Sequence, residues 1–138
     1  MTDLTRFVEA QESTFATALD ELRSGEKRTH WMWFIFPQIA GLGQSPTARK
    51  YAIADMFEAR AYLSHATLGV RLSDCTEAML IWGGKRDAIE ILGPVDAMKF
   101  ASSMTLFEAA GGDVVFAAAL DTFFGGTRDT RTLDLLHV

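Results

Sequence analysis

The stretch after Pro94 carries Asp96, Lys99, Ser102 and Ser103 within about a third of a helix circumference at ~100° per residue. Around them stand Val95, Ala97, Met98, Phe100, Ala101, Met104, Leu106 and Phe107. A helix apolar over most of its surface is buried, so this polar strip has to meet protein, water or a ligand. Asp96 and Lys99 are the candidate catalytic pair: a lysine that binds phosphate, beside a carboxylate that positions water or stabilises cationic charge at a sugar. The structural alternative is an i, i+3 ion pair with serines bonded back to their own turn. A serine nucleophile with Lys99 as base would need a depressed lysine pKa and an oxyanion site, and neither has a sequence signature here.

A second constellation is Lys27, Arg28, His30, Trp31 and Trp33. Cations beside large aromatic faces can hold a planar anion such as a nucleotide, by charge-assisted hydrogen bonds and stacking. The alternative is a solvated basic loop leading into core tryptophans. Lys27, His30, Trp31, Trp33, Gln38, Ser102 and Ser103 are therefore the candidate ligand-binding residues. Gln38, Arg49, Tyr51, Arg128 and Asp129 are polar groups at predicted element ends, where ligand sites tend to lie.

Common signatures are missing. His30, His65 and His137 have no paired ligand spacing, so no metal site is expected. There is no dinucleotide fingerprint, P-loop or nucleophile elbow, and no cofactor is expected. The glycine pairs 83/84, 111/112 and 125/126 read as helix stops.

The elements that must position these groups are helical. Apolar residues from Val8 to Leu22 recur near helical spacing, predicting a first helix from Thr5 to Arg23 before Ser24 and Gly25. The aromatic run Trp31 to Phe36, ended by Pro37, suits a buried strand or a short helix; helix is preferred because little nearby could pair as a strand. Ser45 caps a short segment led by Pro46, and Met56 to Leu63 carries strong helix formers. Leu68 to Ile81, Arg86 to Ile91 and Pro94 to Ala110 follow, each stopped by glycine. Asp113 caps Val114 to Phe124, and Thr127 or Asp129 restarts the chain toward Leu136. Strand alternation and fixed repeats are scarce. The expected architecture is an all-α compact orthogonal bundle of six to eight helices, one domain over residues 1–138.

Composition narrows the function classes. A 138-residue chain that is 49% apolar, with ten Phe and three Trp, fills a core without metal or disulfide support. The lone Cys75 sits in a helix-patterned apolar stretch and reads as a small buried hydrophobe. A net charge of −5 opposes duplex nucleic acid at long range. No export signal or ~20-residue apolar span is visible, so no membrane is expected and the cytoplasm is the expected compartment.

The run Lys27-Arg28-Thr29-His30-Trp31-Met32-Trp33-Phe34-Ile35-Phe36-Pro37-Gln38, then Gly41-Leu42-Gly43, Ala48, Tyr51, Tyr62-Leu63, His65 and Leu68-Gly69-x-Arg71-Leu72, resembles the bacterial family DUF1810. Asp96-x-x-Lys99 with Ser102-Ser103-Met104-Thr105-Leu106-Phe107, and Asp129 with Thr132-Leu133, fit the same pattern. The resemblance spans nearly the whole chain. It implies an all-α fold and a helical aromatic run, but no reaction, since the family has no established function. Ala66 stands where the family tends to have proline, which bears on how the next helix starts. A fainter similarity links His65 to Leu72 with the NADAR proteins, which look like handlers of NAD and ADP-ribose derivatives. That likeness would give Lys27, Trp31, Trp33 and Lys99 a nucleotide to hold.

Two functions stay open from the sequence. One is a ligand- or partner-binding module, taking a small anionic nucleotide-like ligand or a protein. The other is an enzyme that hydrolyses an N-glycosidic bond in a nucleotide-like anion such as an NAD or ADP-ribose derivative. The enzyme reading requires Lys27, Trp31, Trp33, Asp96 and Lys99 to converge on one cleft.

Overall fold

A computed structural model describes residues 3–138. Among them are ten helices: α1 (Thr5–Glu12), α2 (Phe15–Arg23), α3 (Met32–Ile35), α4 (Pro46–Lys50), α5 (Met56–Ser64), α6 (Leu68–Leu80), α7 (Ala88–Leu92), α8 (Pro94–Ala109), α9 (Val114–Phe124) and α10 (Thr130–Leu136). The all-helical class is as expected, while the count exceeds the expected six to eight. Part of the excess comes from the first predicted helix, which is two. The break falls at Ser13-Thr14, residue types whose side chains compete with the helical backbone. It lets α1 turn Phe7 and Gln11 inward against α3, while α2 turns Ala18, Glu21 and Leu22 inward against α6.

The aromatic run takes its preferred, helical reading. Met32–Ile35 makes a single helical turn. Phe36 then extends, at φ −124° and ψ 74°, as a residue before proline must. Directly after Pro37 the backbone pairs with a neighbour: Ile53 N–H donates to Gln38 O and Ala40 N–H donates to Ile53 O, both at 2.8 Å. This parallel bridge between Ile39 and Ile53 is isolated and builds no sheet.

Four helix starts follow their cap chemistry. Ser45, Asp55, Asp87 and Asp129 each accept a hydrogen bond from the backbone N–H three residues on, satisfying donors that the first turn leaves free. At α6 His65 does the equivalent work, its Nδ1 accepting from the N–H groups of Thr67 and Leu68.

The core gathers around α8, which packs against α5, α7, α9 and α10. Phe100 meets Phe36 edge-on at 4.8 Å between ring centroids, and Phe107 lies 5.3 Å from Tyr62 and 5.9 Å from Phe116. Such tilted pairs add to the large area each ring buries. Cys75 lies in this core as expected, and burial pushes its thiol up to about 12. Among the described residues no helix is long and apolar enough to cross a membrane.

Candidate functional site

The loop between α2 and α3 is organised by one carboxylate. Glu21, buried on the inner face of α2, accepts from Arg28 N (2.7 Å), Thr29 N (3.0 Å), Thr29 Oγ1 (2.7 Å) and Trp31 Nε1 (3.0 Å). Burial alone would raise its pKa, but these four donors outweigh it and hold the group down at about 2. A second tie, Lys27 N–H to Ile91 O at 2.8 Å, fastens the loop to the end of α7.

Held this way, Lys27 reaches Asp96 in the first turn of α8. Its Nζ lies 3.0 Å from Asp96 Oδ2, while Lys99 Nζ approaches Oδ1 at 3.7 Å from the next turn of the same helix. Each ammonium also sits over an indole, Lys27 at 5.1 Å from the Trp31 ring and Lys99 at 5.2 Å from Trp33. Five residues singled out by type and spacing thus form one chain of contacts: Trp31, Lys27, Asp96, Lys99, Trp33.

Their roles divide by burial. Trp31 is 0% exposed, so no ligand can stack on it; its indole fills the core and its N–H serves Glu21. The Lys27 and Asp96 side chains are only 9% and 19% exposed and largely satisfy each other. Trp33 is half-buried, and with Gln38, Ile39 and Tyr51 it borders a void of about 10 Å³, too small for a ligand. His30 is solvent-exposed and borders none of the main cavities.

Lys99 also borders open space. A cleft of about 580 Å³ lies between α8, the 38–43 loop and the segment that leads from α9 into α10. Lys99, Ser102 and Gln38, all picked out by the sequence, line it. Ser103 does not: it is fully buried and its hydroxyl has no hydrogen-bond partner. On the helical wheel Ser103 lies 100° beyond Ser102, which carries it off the cleft face and into the core.

The cleft is also bordered by Arg128, Asp129 and Arg131. Arg128 is tied down: Nε donates to Glu108 Oε1 at 2.8 Å, Nη2 to Glu108 Oε2, and Nη1 to Asp121 Oδ1 at 3.2 Å. The bonds to Glu108 raise the guanidinium pKa further and lower that of Glu108. Asp129 Oδ2 accepts from Ser102 Oγ at 2.9 Å and from Thr132 Oγ1 at 2.5 Å, so the α10 cap is bolted to α8. Arg131 forms no ion pair among the described residues.

The apolar walls, Leu42, Val95, Met98 and Phe124, carried no functional signal in the sequence. Met98 and Val95 read as core positions of an apolar helix, yet they are 74% and 65% exposed. Glu21 was equally silent, although its spacing from Ala18 and Leu22 places it on the buried face of α2 and could have flagged it. A second depression of about 550 Å³ lies beside His65, Asp74 and Asp113, where the His65 Nδ1 is already engaged as a cap. No cluster of three or more metal-ligating side chains occurs among the described residues.

Comparison with known proteins agrees with the fold. The chain is similar to the crystal structure of the conserved hypothetical protein Rv1873 from Mycobacterium tuberculosis, solved at 1.38 Å. The two are 48% identical with a TM-score of 0.95, over 99% of this chain and 97% of that chain. No curated protein matches significantly. The family described as protein of unknown function, DUF1810, matches residues 1–136, and the chain belongs to it.

Proposed function

We propose that this chain is a small-ligand-binding domain whose cleft between α8, the 38–43 loop and the entry to α10 receives an anionic molecule. The observation that carries this reading is the convergence of Lys99 and Ser102, one turn apart on α8, with Gln38, remote in sequence, on one cleft of about 580 Å³. That volume falls within the about 300–1,000 Å³ range of small-molecule sites, and apolar walls with a few placed polar groups are their usual lining. Cytoplasmic location goes with this reading, since the single buried thiol offers nothing to an oxidising compartment.

The test is a thermal-shift titration against a panel of small anions: phosphate, AMP, NAD, ADP-ribose and simple carboxylates, with Lys99→Ala in parallel. A ligand at a hundred times its dissociation constant stabilises the fold by about 2.7 kcal/mol, a clear rise in melting temperature. Absence of any shift would overturn the reading in favour of a protein partner.

An enzyme that hydrolyses an N-glycosidic bond in a nucleotide-like anion is the second reading. It uses a different residue set from the one the sequence suggested, since of Lys27, Trp31, Trp33, Asp96 and Lys99 only Lys99 borders the cleft. It is favoured by the Asp129 carboxylate, which borders the same cleft as Lys99 and could face positive charge developing at a sugar. Asp96 is less suited to that role, because both of its oxygens face lysines. Release of free base from NAD or ADP-ribose derivatives, lost in Asp129→Asn, would support this reading; no release would leave binding alone.

A further inference from the structure

We infer that the cleft selects a ligand with a single anionic group on an apolar body and discriminates against polyphosphates. The inference rests on reading the cleft as a ligand site and adds the ligand's chemical class.

The charge around the cleft is small once existing pairings are counted. Of its three lining cations, Arg128 is held by Glu108 and Asp121, and Lys99 shares Asp96 with Lys27. Arg131 is unpaired among the described residues, and the Asp129 carboxylate stands on the same wall. Arg128 is matched by Glu108, and Asp121, at 66% side-chain exposure, is screened by water. The Lys27–Asp96–Lys99 group and Arg131 set against Asp129 then leave one positive charge. That matches one negative charge, whereas a diphosphate would bring two or more to a wall that already holds one.

Several backbone donors beside the cleft are already engaged, and the N–H groups of Thr130 and Arg131, which have no backbone acceptor, open α10 directly after the Asp129 carboxylate, which disfavours a second anion there. Gly126 N–H donates to Leu120 O and Thr127 N–H to Phe124 O, closing the end of α9, while Thr132 N–H donates to Asp129 itself. A phosphate cradle needs several such groups free and convergent.

The remaining lining favours an apolar body. Leu42, Val95, Met98 and Phe124 present hydrocarbon, thioether and an aromatic ring. Among the described residues nothing covers Met98, at 74% exposed, or Val95, at 65%. Methionine adapts to varied apolar shapes, which suits an aryl or acyl group.

The experiment is isothermal titration of the whole chain with 2-naphthoate and decanoate, their neutral counterparts 2-naphthylmethanol and decanol, and AMP and ADP-ribose. Arg131→Ala, at an exposed position that leaves the fold intact, is titrated alongside Lys99→Ala. A carboxylate should bind, its alcohol should bind about tenfold or more weakly, and each variant should lose a similar factor for the acid but not for the alcohol. Tighter binding of AMP or ADP-ribose than of both carboxylates would overturn this inference and leave the cleft a ligand site. Equal binding of acid and alcohol would overturn the charge match. Binding of none of the six would remove the ligand-site reading as well.

Discussion

Lys27 Nζ stands 3.0 Å from Asp96 Oδ2, joining the loop after α2 to the first turn of α8 by an ion pair with little access to water. Acidic residues also suit a helix's first turn, so Asp96 is favoured there by both α8 and Lys27.

Removing Lys27 takes away the nearer partner and leaves Asp96 with Lys99 at 3.7 Å. Lys27→Ala should cost about 2 kcal/mol, below the about 3–5 expected for a fully buried pair left with no partner. Lys99→Ala, which removes the more exposed and more distant ammonium, should cost about 0.5 kcal/mol. Urea denaturation of both variants checks the order; equal costs would show that the two lysines share Asp96 evenly.

Glu21 makes stability depend on acid. Its pKa is lowered from 4.5 to about 2, so the stability it contributes is complete above pH about 4.5 and is lost as pH falls through about 2. Glu21→Gln should flatten that part of the stability profile. Glu21→Ala, which strands the Arg28 and Thr29 N–H groups and the Trp31 indole N–H, should cost about 3 kcal/mol at neutral pH. Denaturation midpoints at pH 7, 4 and 3 separate the two effects; parallel profiles for wild type and Glu21→Gln would exclude this carboxylate as their source.

Gly25 has φ +78°, and a Cβ there would meet the Trp82 ring at 2.8 Å. The indole cannot simply retreat, since its N–H donates to Leu22 O at 2.9 Å. Gly25→Ala combines left-handed strain with overpacking and should cost about 2–3 kcal/mol. Gly84, also at positive φ but with open space around its Cβ position, should tolerate alanine at about 1 kcal/mol. Thermal melts of the two variants distinguish strain from crowding.

The adjacent serines of α8 should behave oppositely. Ser103→Ala removes a buried hydroxyl that has no partner and should be neutral or stabilising by up to about 1 kcal/mol. Ser102→Ala loses the bond to Asp129 that ties α10 to α8 and should cost about 1 kcal/mol. Hydrogen exchange of α10 amides, faster in the Ser102 variant alone, would confirm where that bond acts.

How much of this could be read in advance differs from element to element. Asp113 and Gly125 bracket α9 at Val114–Phe124, and Pro94 opens α8, because capping and the proline constraint are local chemistry that a few neighbouring residues decide. The split between α1 and α2 is only partly local, because Ser13-Thr14 permits a break that tertiary contacts then fix. With α1 ending there, Gln11 faces inward, where its side-chain amide donates to Phe34 O at 2.7 Å and to Tyr62 Oη at 3.1 Å, partners 23 and 51 residues away. Likewise the bridge after Pro37 required Ile53 to arrive beside Gln38.

The site divides in the same way. Residue type and helical period alone brought out Lys27, Trp31, Trp33, Asp96 and Lys99, and all five meet. Burial then sorted them: Trp31 joins the core, Asp96 is shared between two lysines, and Lys99 alone of the five borders the large cleft. The helical class, the caps Ser45 and Asp113 and the polar strip of α8 were legible in advance, because these follow from backbone geometry and side-chain periodicity within one segment. Only the tertiary structure decided that Ser102 faces the cleft and Ser103 the core, and that Met98 and Val95 remain uncovered. Those outcomes depend on which distant segments pack against each face of α8, and no periodicity within α8 encodes its neighbours.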